Sequence, residues 1–236
     1  MKTKTMYAWA MLLCTLGCSP SESAQNIEVA IVIDKTNQMP AFPDAKEIVS
    51  QLGLTANPWP GIKITATYAS DRDINDVMEV TLDAENQWSG NLDLRKAQIK
   101  LLTRQLQQCL DSMRYAGACP HSIVYRAIAR QANRLADSNT AQRYLLVYSD
   151  LVENDINLNF YNPQTLARLK ASPGSIEKQL TAELLLKSLK GLQVWFIYSP
   201  ASFAQNNSYM LIADYYSRLF SVHGAIPHVA SKFMSL

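Results

Sequence analysis

The sequence predicts an α/β domain of three layers, in which helices cover both faces of a mostly parallel, Rossmann-like central sheet that has one antiparallel edge strand. Apolar β-type runs alternate with amphipathic helical runs along the chain. The first run, Ile27–Ile33, is apolar almost throughout, as expected for a strand buried on both faces. Ile62–Ala69 and Asp76–Leu82 are joined by a short polar link, which predicts a hairpin and therefore an antiparallel edge strand.

The other elements follow from hydrophobic periodicity and from helix start and stop residues. Asp44 and Ser122 are predicted to be helix N-caps. The segment Leu151–Ser172 is polar and is predicted to be an irregular surface insertion. The predicted helices are Ala45–Leu52, Leu92–Met113, Ile123–Ala136, Ser175–Leu189 and Tyr209–His223, and the remaining strands are Tyr144–Tyr148, Val194–Tyr198 and a short strand within Ile226–Met234.

The start of the chain is typical of an export signal. Lys2 and Lys4 precede the apolar run Met6–Leu16, which is too short to span a bilayer. The run Thr15-Leu16-Gly17-Cys18 resembles a bacterial lipobox, although Thr15 stands where Leu is usual. We therefore expect a signal over residues 1–17, a lipid on Cys18, a tether over 18–26 and one domain over 27–236.

This resemblance implies a lipid-anchored protein of the bacterial cell envelope. Ser19 after the cysteine favours the periplasmic side of the outer membrane. The alternative is an ordinary secretory signal cut near Ser23, which would give a periplasmic protein without a lipid.

The charge of the chain disfavours nucleic acid as a partner. The formal net charge is +2, and loss of Lys2 and Lys4 with the signal reduces it to zero. A neutral surface exerts no long-range attraction on a polyanion, and no basic stripe is visible in the sequence.

Two cysteines remain in the expected mature domain, Cys109 and Cys119. In an oxidising periplasm this pair is expected to form a disulfide that ties a helix to the following loop. Two free thiols are the alternative.

Polar side chains follow two strand-like runs at the points where those strands end. Asp34, Thr36 and Gln38 come after the first strand, and Ser149-Asp150 comes after Tyr144–Tyr148. The carboxyl ends of parallel strands are where an α/β sheet usually places its ligand site. Two acids at such ends suggest a divalent-cation site, and their alternative role is to accept hydrogen bonds from loop amides.

The order of elements and these motifs resemble the von Willebrand factor A domain over most of the chain, from about Ile27 to Phe233. The first metal-binding motif of that family, D-x-S-x-S, matches the run Asp34-Lys35-Thr36-Asn37-Gln38. Gln38 departs from the family, because a longer amide stands where a short hydroxyl is usual.

The family's second motif, a Thr in a Gly-containing loop with an Ala about five residues later, matches Gly117, Ser122 and Ala127. The last ligand of the family, an Asp often followed by Gly, matches Asp150, which is followed here by Leu151. The resemblance thus implies a Mg²⁺ site, with Ca²⁺ or no metal as alternatives, formed by Asp34, Thr36, Gln38, Ser122 and Asp150.

The expected function is binding of a protein partner in the cell envelope, without catalysis. One alternative is an envelope hydrolase that uses Ser122, either His121 or His223, and Asp150, although no G-x-S-x-G motif supports it. Another alternative is a metal-free structural subunit of an envelope complex. The run Glu153-Asn154-Asp155 is predicted to be a solvated loop.

Overall fold

The structure, a computed structural model, describes residues 26–35, 41–72, 74–115 and 119–234. They form one six-stranded sheet in the order β3-β2-β1-β4-β5-β6, in which only the pairing of β3 with β2 is antiparallel. The strands are β1 (Ile27–Asp34), β2 (Ile62–Ala69), β3 (Val77–Leu82), β4 (Gln142–Tyr148), β5 (Gln193–Ile197) and β6 (Ile226–Ala230).

Helices cover both faces of this sheet, which confirms the predicted three-layer α/β architecture. The helices are α1 (Ala45–Gln51), α2 (Leu92–Arg114), α3 (Val124–Ala136), α4 (Pro163–Ala171), α5 (Pro173–Thr181) and α6 (Phe203–Val222). One apolar core joins the sheet to α1 and α2, and the other joins it to α3, α4, α5 and α6.

The inner strands have the sequences that burial on both faces requires. All eight residues of β1 are buried, and β1 pairs in parallel with β2 on one side and β4 on the other. The carboxyl ends of these strands therefore meet at one edge of the sheet. We call the loops at this edge the carboxyl rim, comprising the described residues of 35–41, 70–76, 115–123, 149–162 and 198–202.

The predicted surface insertion after β4 is more ordered than its sequence suggests. It contains α4, and it contributes Leu151, Leu158, Phe160 and Leu169 to the core. The polar composition conceals these buried residues because they are widely spaced among Asn and Asp.

The helix predicted over Ser175–Leu189 is also wrong in its extent, since α5 ends at Thr181. The segment that follows bonds to α3 instead of forming its own helical turns. The Tyr125 hydroxyl donates to the Leu184 carbonyl at 2.9 Å, and the Asn133 side chain donates to the Leu185 carbonyl at 2.8 Å and accepts from the Lys187 N–H at 2.8 Å. Hydrogen bonds to α3 therefore take the place of further helical turns after Thr181.

The expected Cys109–Cys119 disulfide is not formed, and both residues are free thiols. Cys109 lies on α2 beside Met78 of β3, in the groove between that helix and the edge strand. Cys119 is held elsewhere, because its N–H donates to the Lys35 carbonyl just beyond the end of β1 at 3.0 Å. Among the described residues, no helix is both long and apolar enough to cross a bilayer.

Candidate functional site

Two carboxylates lie at the carboxyl rim where two central strands end. Asp34 is the last residue of β1, and Asp150 follows β4 by two residues. Because Ile33 is paired with Tyr148 in the parallel ladder, the two acids leave neighbouring strands at the same level. The structure thus brings together the two acids that the sequence pattern singled out.

Ser149, which is not one of the predicted ligands, positions Asp34 and the loop that carries Asp150. The Ser149 hydroxyl donates to Asp34 Oδ2 at 2.7 Å and accepts from the Leu151 N–H at 2.8 Å. Both Ser149 and Asp34 are buried, so this bond ties the end of β1 to the end of β4. The signal in the sequence was a hydroxyl residue directly after a buried strand.

Asp150 lies in an environment that disfavours its charge. Its Oδ1 accepts from the Val152 N–H at 3.0 Å, which fixes the carboxylate over its own loop. Burial, followed by the charge of Asp34, raises the pKa of Asp150 to about 6. A bound cation would remove this penalty, because it would compensate both carboxylates.

Ser122 is placed differently from its predicted role as a helix cap. The N-cap of α3 is Ile123, and no side chain at that position bonds the helix. The backbone of Ser122 is fixed because its carbonyl accepts from the Asn154 N–H at 3.1 Å. Its hydroxyl is fully buried and has no hydrogen-bond partner among the described residues. Four other buried side-chain atoms of the described residues share this state, among them the hydroxyls of Tyr215 and Ser217 on α6.

Leu151 has a left-handed backbone, with φ of 61°. It follows Asp150 at the position where the resembling family often has Gly, the residue for which this conformation has no steric cost. The Leu151 side chain is completely buried in the core under α3 and α6. The loop therefore keeps a glycine-like path, and core packing offsets the strain.

The prediction that Glu153 belongs to a solvated loop is wrong. Glu153 is 3% exposed, and its Oε2 accepts from the Tyr125 N–H at 2.9 Å, which satisfies an amide in the first turn of α3. The Tyr216 hydroxyl donates to the same oxygen at 3.4 Å. Burial raises the pKa of Glu153 to about 8. No periodicity marks this residue, because its partners are distant in sequence.

Three of the predicted ligands, Asp34, Ser122 and Asp150, lie within the described residues and supply two carboxylates and one hydroxyl. Thr36 and Gln38, the other predicted ligands, lie outside the described residues, as does Gly117. Among the described residues there is no cluster of three or more His, Cys, Asp or Glu suited to a metal ion. An all-oxygen set of this kind fits a hard cation such as Mg²⁺ or Ca²⁺, which does not require such a cluster.

The same geometry bears on the hydrolase alternative. A serine nucleophile needs a base within hydrogen-bond reach. The Ser122 hydroxyl has no such contact in the described part of the chain. The arrangement of Ser122 and Asp150 therefore offers oxygen ligands and no nucleophile–base pair there.

Large apolar side chains are exposed at the carboxyl end of the sheet. Ile74 and Tyr115 lie in loops near the end of β2, Ile156 follows β4, and Phe203 follows β5. Ile156 is 95% exposed and Phe203 is 80% exposed.

Comparison with known proteins adds information on the fold alone. No protein-family model and no curated protein matches the chain. The D319A variant of the PilB minor pilin from Streptococcus sanguinis is a structural neighbour with a TM-score of 0.50 and 10% identity, covering 90% of this chain and 58% of that chain. The chain therefore spans less than two thirds of the length of this neighbour.

Two other solved structures match with TM-scores below 0.5. One is the pilus adhesin SpaC from Lactobacillus rhamnosus GG, with a TM-score of 0.38, 9% identity and coverage of 88% of this chain and 28% of that chain. The other is the manganese-loaded TRAP protein of Plasmodium vivax, with a TM-score of 0.31, 12% identity and coverage of 81% and 64%.

Proposed function

We propose that this protein is a lipid-anchored binding module of the bacterial cell envelope, which engages a protein partner at its carboxyl rim with the help of a divalent cation. Asp34, Ser122 and Asp150 would hold the ion together with Thr36 and Gln38, and Mg²⁺ is the favoured ion. The ion would supply a positive centre with an open position for an acidic group of the partner.

The unpaired, buried hydroxyl of Ser122 is the observation that supports the cation most strongly. A buried hydroxyl without a partner costs about 1–3 kcal/mol, and among the described residues Ser122 is the one such group that is also a predicted ligand. The raised pKa of Asp150 supports the same conclusion, because burial and Asp34 leave its negative charge uncompensated.

The choice of a protein partner is supported by the apolar residues at the rim. Ile156 lies in the loop after β4 and Phe203 begins α6 after the neighbouring strand β5, and both are strongly exposed. Exposed apolar side chains together with polar groups are the components from which protein interfaces are built. The lipid on Cys18 is part of the proposal and lies outside the described residues.

Isothermal titration of the protein with Mg²⁺ and Ca²⁺ tests the cation. We expect saturable binding by the native chain and none by Asp34→Ala. Asp150→Asn provides a second variant, because its amide oxygen can still accept from the Val152 N–H while the negative charge is lost. Asp155→Asn, a neighbouring half-buried acid outside the site, is the control and should bind normally. Absence of binding by the native chain would contradict the cation site.

Co-purification from detergent extracts, with Mg²⁺ or with EDTA, tests the partner. We expect a protein that remains bound in Mg²⁺ and is released by EDTA or by Asp150→Asn. A partner retained equally in both conditions would instead identify the metal-free structural subunit.

A further inference from the structure

Exposed apolar side chains also occur at the opposite end of the sheet. We call this end the amino rim, comprising the loops 57–61, 83–91, 182–192 and 223–225 with the helix ends beside them. Trp88 is 88% exposed and Val222 is 85% exposed. Leu92, Leu94, Leu185 and Ile226 are exposed at the same end.

Trp88 is held outward by a rigid support and is not part of a loose loop. The backbone N–H of Trp88 donates to Asn86 Oδ1 at 2.8 Å, and the backbone N–H of Gly90 donates to the Asn86 carbonyl at 2.8 Å. The buried guanidinium of Arg95 binds the carbonyls of both neighbouring loops, those of Pro58 and Pro60 at 2.6 Å and that of Asp83 at 2.7 Å. The backbone beside Trp88 is therefore held by these hydrogen bonds, while its side chain is exposed to solvent.

The apolar residues are spread across the width of the molecule. Trp88 follows β3 at one edge of the sheet, whereas Val222 and Ile226 lie at the start of β6 at the other edge. Six strands span about 25 Å at the usual strand spacing. Apolar contacts that are this far apart fit a broad, flat partner better than a single peptide.

The start of the described chain lies at the same rim. Asn26 Oδ1 accepts from the Gly61 N–H at 3.2 Å, directly before β1 and β2 begin. The preceding residues include Cys18 and the apolar run Met6–Leu16. The seven residues from Ser19 to Gln25 can extend by no more than about 25 Å. A chain anchored at Cys18 therefore keeps the amino rim close to the bilayer.

We propose that the amino rim is a membrane-contact surface, on which Trp88 enters the headgroup region of the lipid bilayer and the carboxyl rim faces away from it. The occupant is a lipid surface, and the proposal rests on the lipid anchor included in the proposed function. Tryptophan suits such a contact, because its ring is apolar and its N–H remains able to bond at the interface. Lys190 and Asp93 are both exposed near this rim, so the contact does not depend on one sign of lipid charge.

Fluorescence quenching in vesicles tests this orientation with the full chain. The protein is reconstituted in phosphatidylethanolamine–phosphatidylglycerol vesicles whose acyl chains are brominated, which quenches tryptophans that enter the bilayer. We expect the native chain to lose more emission than Trp88→Phe, the difference being the contribution of Trp88. The matched control is the double variant Trp88→Phe with Phe203→Trp, compared with Trp88→Phe alone. The introduced tryptophan lies at the carboxyl rim, and its added emission should be quenched by aqueous iodide and not by brominated lipid.

Equal quenching of the native chain and Trp88→Phe would overturn the proposal. Protection of Trp88 from both iodide and brominated lipid would also overturn it, because a second copy or another protein would then cover the rim. The mass of the mature N-terminus separates this result from failure of the anchor. Quenching of Trp88 in a chain without a lipid would support the membrane-contact surface and contradict the lipid anchor. A lipidated chain in which Trp88 is not quenched would support the anchor and contradict the contact surface.

Discussion

The two ends of the sheet differ in the hydrogen bonding and the pKa values of their buried polar groups. At the amino rim, Arg95 is 1% exposed, and each of its three side-chain nitrogens donates at least one hydrogen bond. At the carboxyl rim, Ser122 has a buried hydroxyl without a partner, and Asp150 and Glu153 have raised pKa values. The comparison shows that the Arg95 cluster is satisfied by the fold itself, whereas the carboxyl rim keeps two buried acids with raised pKa values. Buried unpaired atoms occur at both ends, since Arg143 Nε at the start of β4 also has no partner among the described residues.

The largest expected effect is a loss of stability on replacing Arg95, the buried guanidinium at the amino rim. Arg95→Met should lower the free energy of unfolding by about 3–5 kcal/mol, because several buried carbonyls lose their donor together. Arg95→Lys should also destabilise the protein, since a single ammonium cannot replace the planar fork. Urea unfolding measures both variants, with the exposed neighbour Lys96→Met as the control. A loss below about 1 kcal/mol for Arg95→Met would show that this end does not depend on the guanidinium.

A second prediction concerns the buried acid of the carboxyl rim. Glu153 has a pKa of about 8 in the folded protein and an ordinary value of 4.5 when unfolded. The folded state therefore holds a proton that the unfolded state releases, so native stability falls as pH rises through this window. Glu153→Gln keeps an acceptor for the Tyr125 N–H and removes the titration. We expect it to be more stable than the native chain at pH 9, by an amount on the order of 3 kcal/mol.

Unfolding curves recorded from pH 5 to 9 test this sign. The stability difference between Glu153→Gln and the native chain should grow with pH and level off above about pH 8. Asp71→Asn is the control, because its carboxyl is exposed at the same rim and does not contribute to the raised pKa of Glu153. A difference that is constant over the whole pH range would contradict a buried, protonated Glu153.

A third prediction separates strain from packing at Leu151. Leu151→Ala removes a completely buried side chain but keeps the left-handed backbone, so it should cost about 2–5 kcal/mol. Leu151→Gly loses the same packing, but it relieves the strain of the left-handed backbone, which should stabilise it by about 1 kcal/mol relative to Leu151→Ala. The Gly variant should therefore be the more stable of the two in urea unfolding, the reverse of the usual order. If the Ala variant is the more stable, the backbone at this position is not strained.

The sequence was sufficient to predict the sheet, because its strands are apolar and its helices are amphipathic. Ile62–Ala69 has the predicted bounds, and Asp44 caps α1 by accepting from the Glu47 N–H as expected. The loop after β4 could not be predicted in the same way. Its buried residues, Leu158 and Phe160, show no period, and the bonds of α3 to residues 184–187 join segments far apart in sequence.

The candidate site was only partly predictable for the same reason. Asp34 and Asp150 were found because they end strands, and strand ends can be located from a pattern. Ser149 and Glu153 act through partners on other elements, such as Asp34 and Tyr125, and no local signal reveals such partners. The disulfide failed as a prediction because spacing in sequence does not show which way each thiol faces.

The most direct test of the cation site at the carboxyl rim is the melting temperature of the native chain and of Ser122→Ala, each with and without Mg²⁺. Without Mg²⁺, Ser122→Ala should melt at the same temperature as the native chain or higher, because it removes a buried hydroxyl without a partner. With Mg²⁺ at a hundred times its Kd, the native chain should gain about 2.7 kcal/mol.

Ser122→Ala should lose most of that gain, whereas the control Ser217→Ala, which removes a comparable unpaired hydroxyl on α6, should keep it. Equal Mg²⁺ responses in all three proteins, or no response in the native chain, would contradict a cation bound by Ser122 between the ends of β1 and β4.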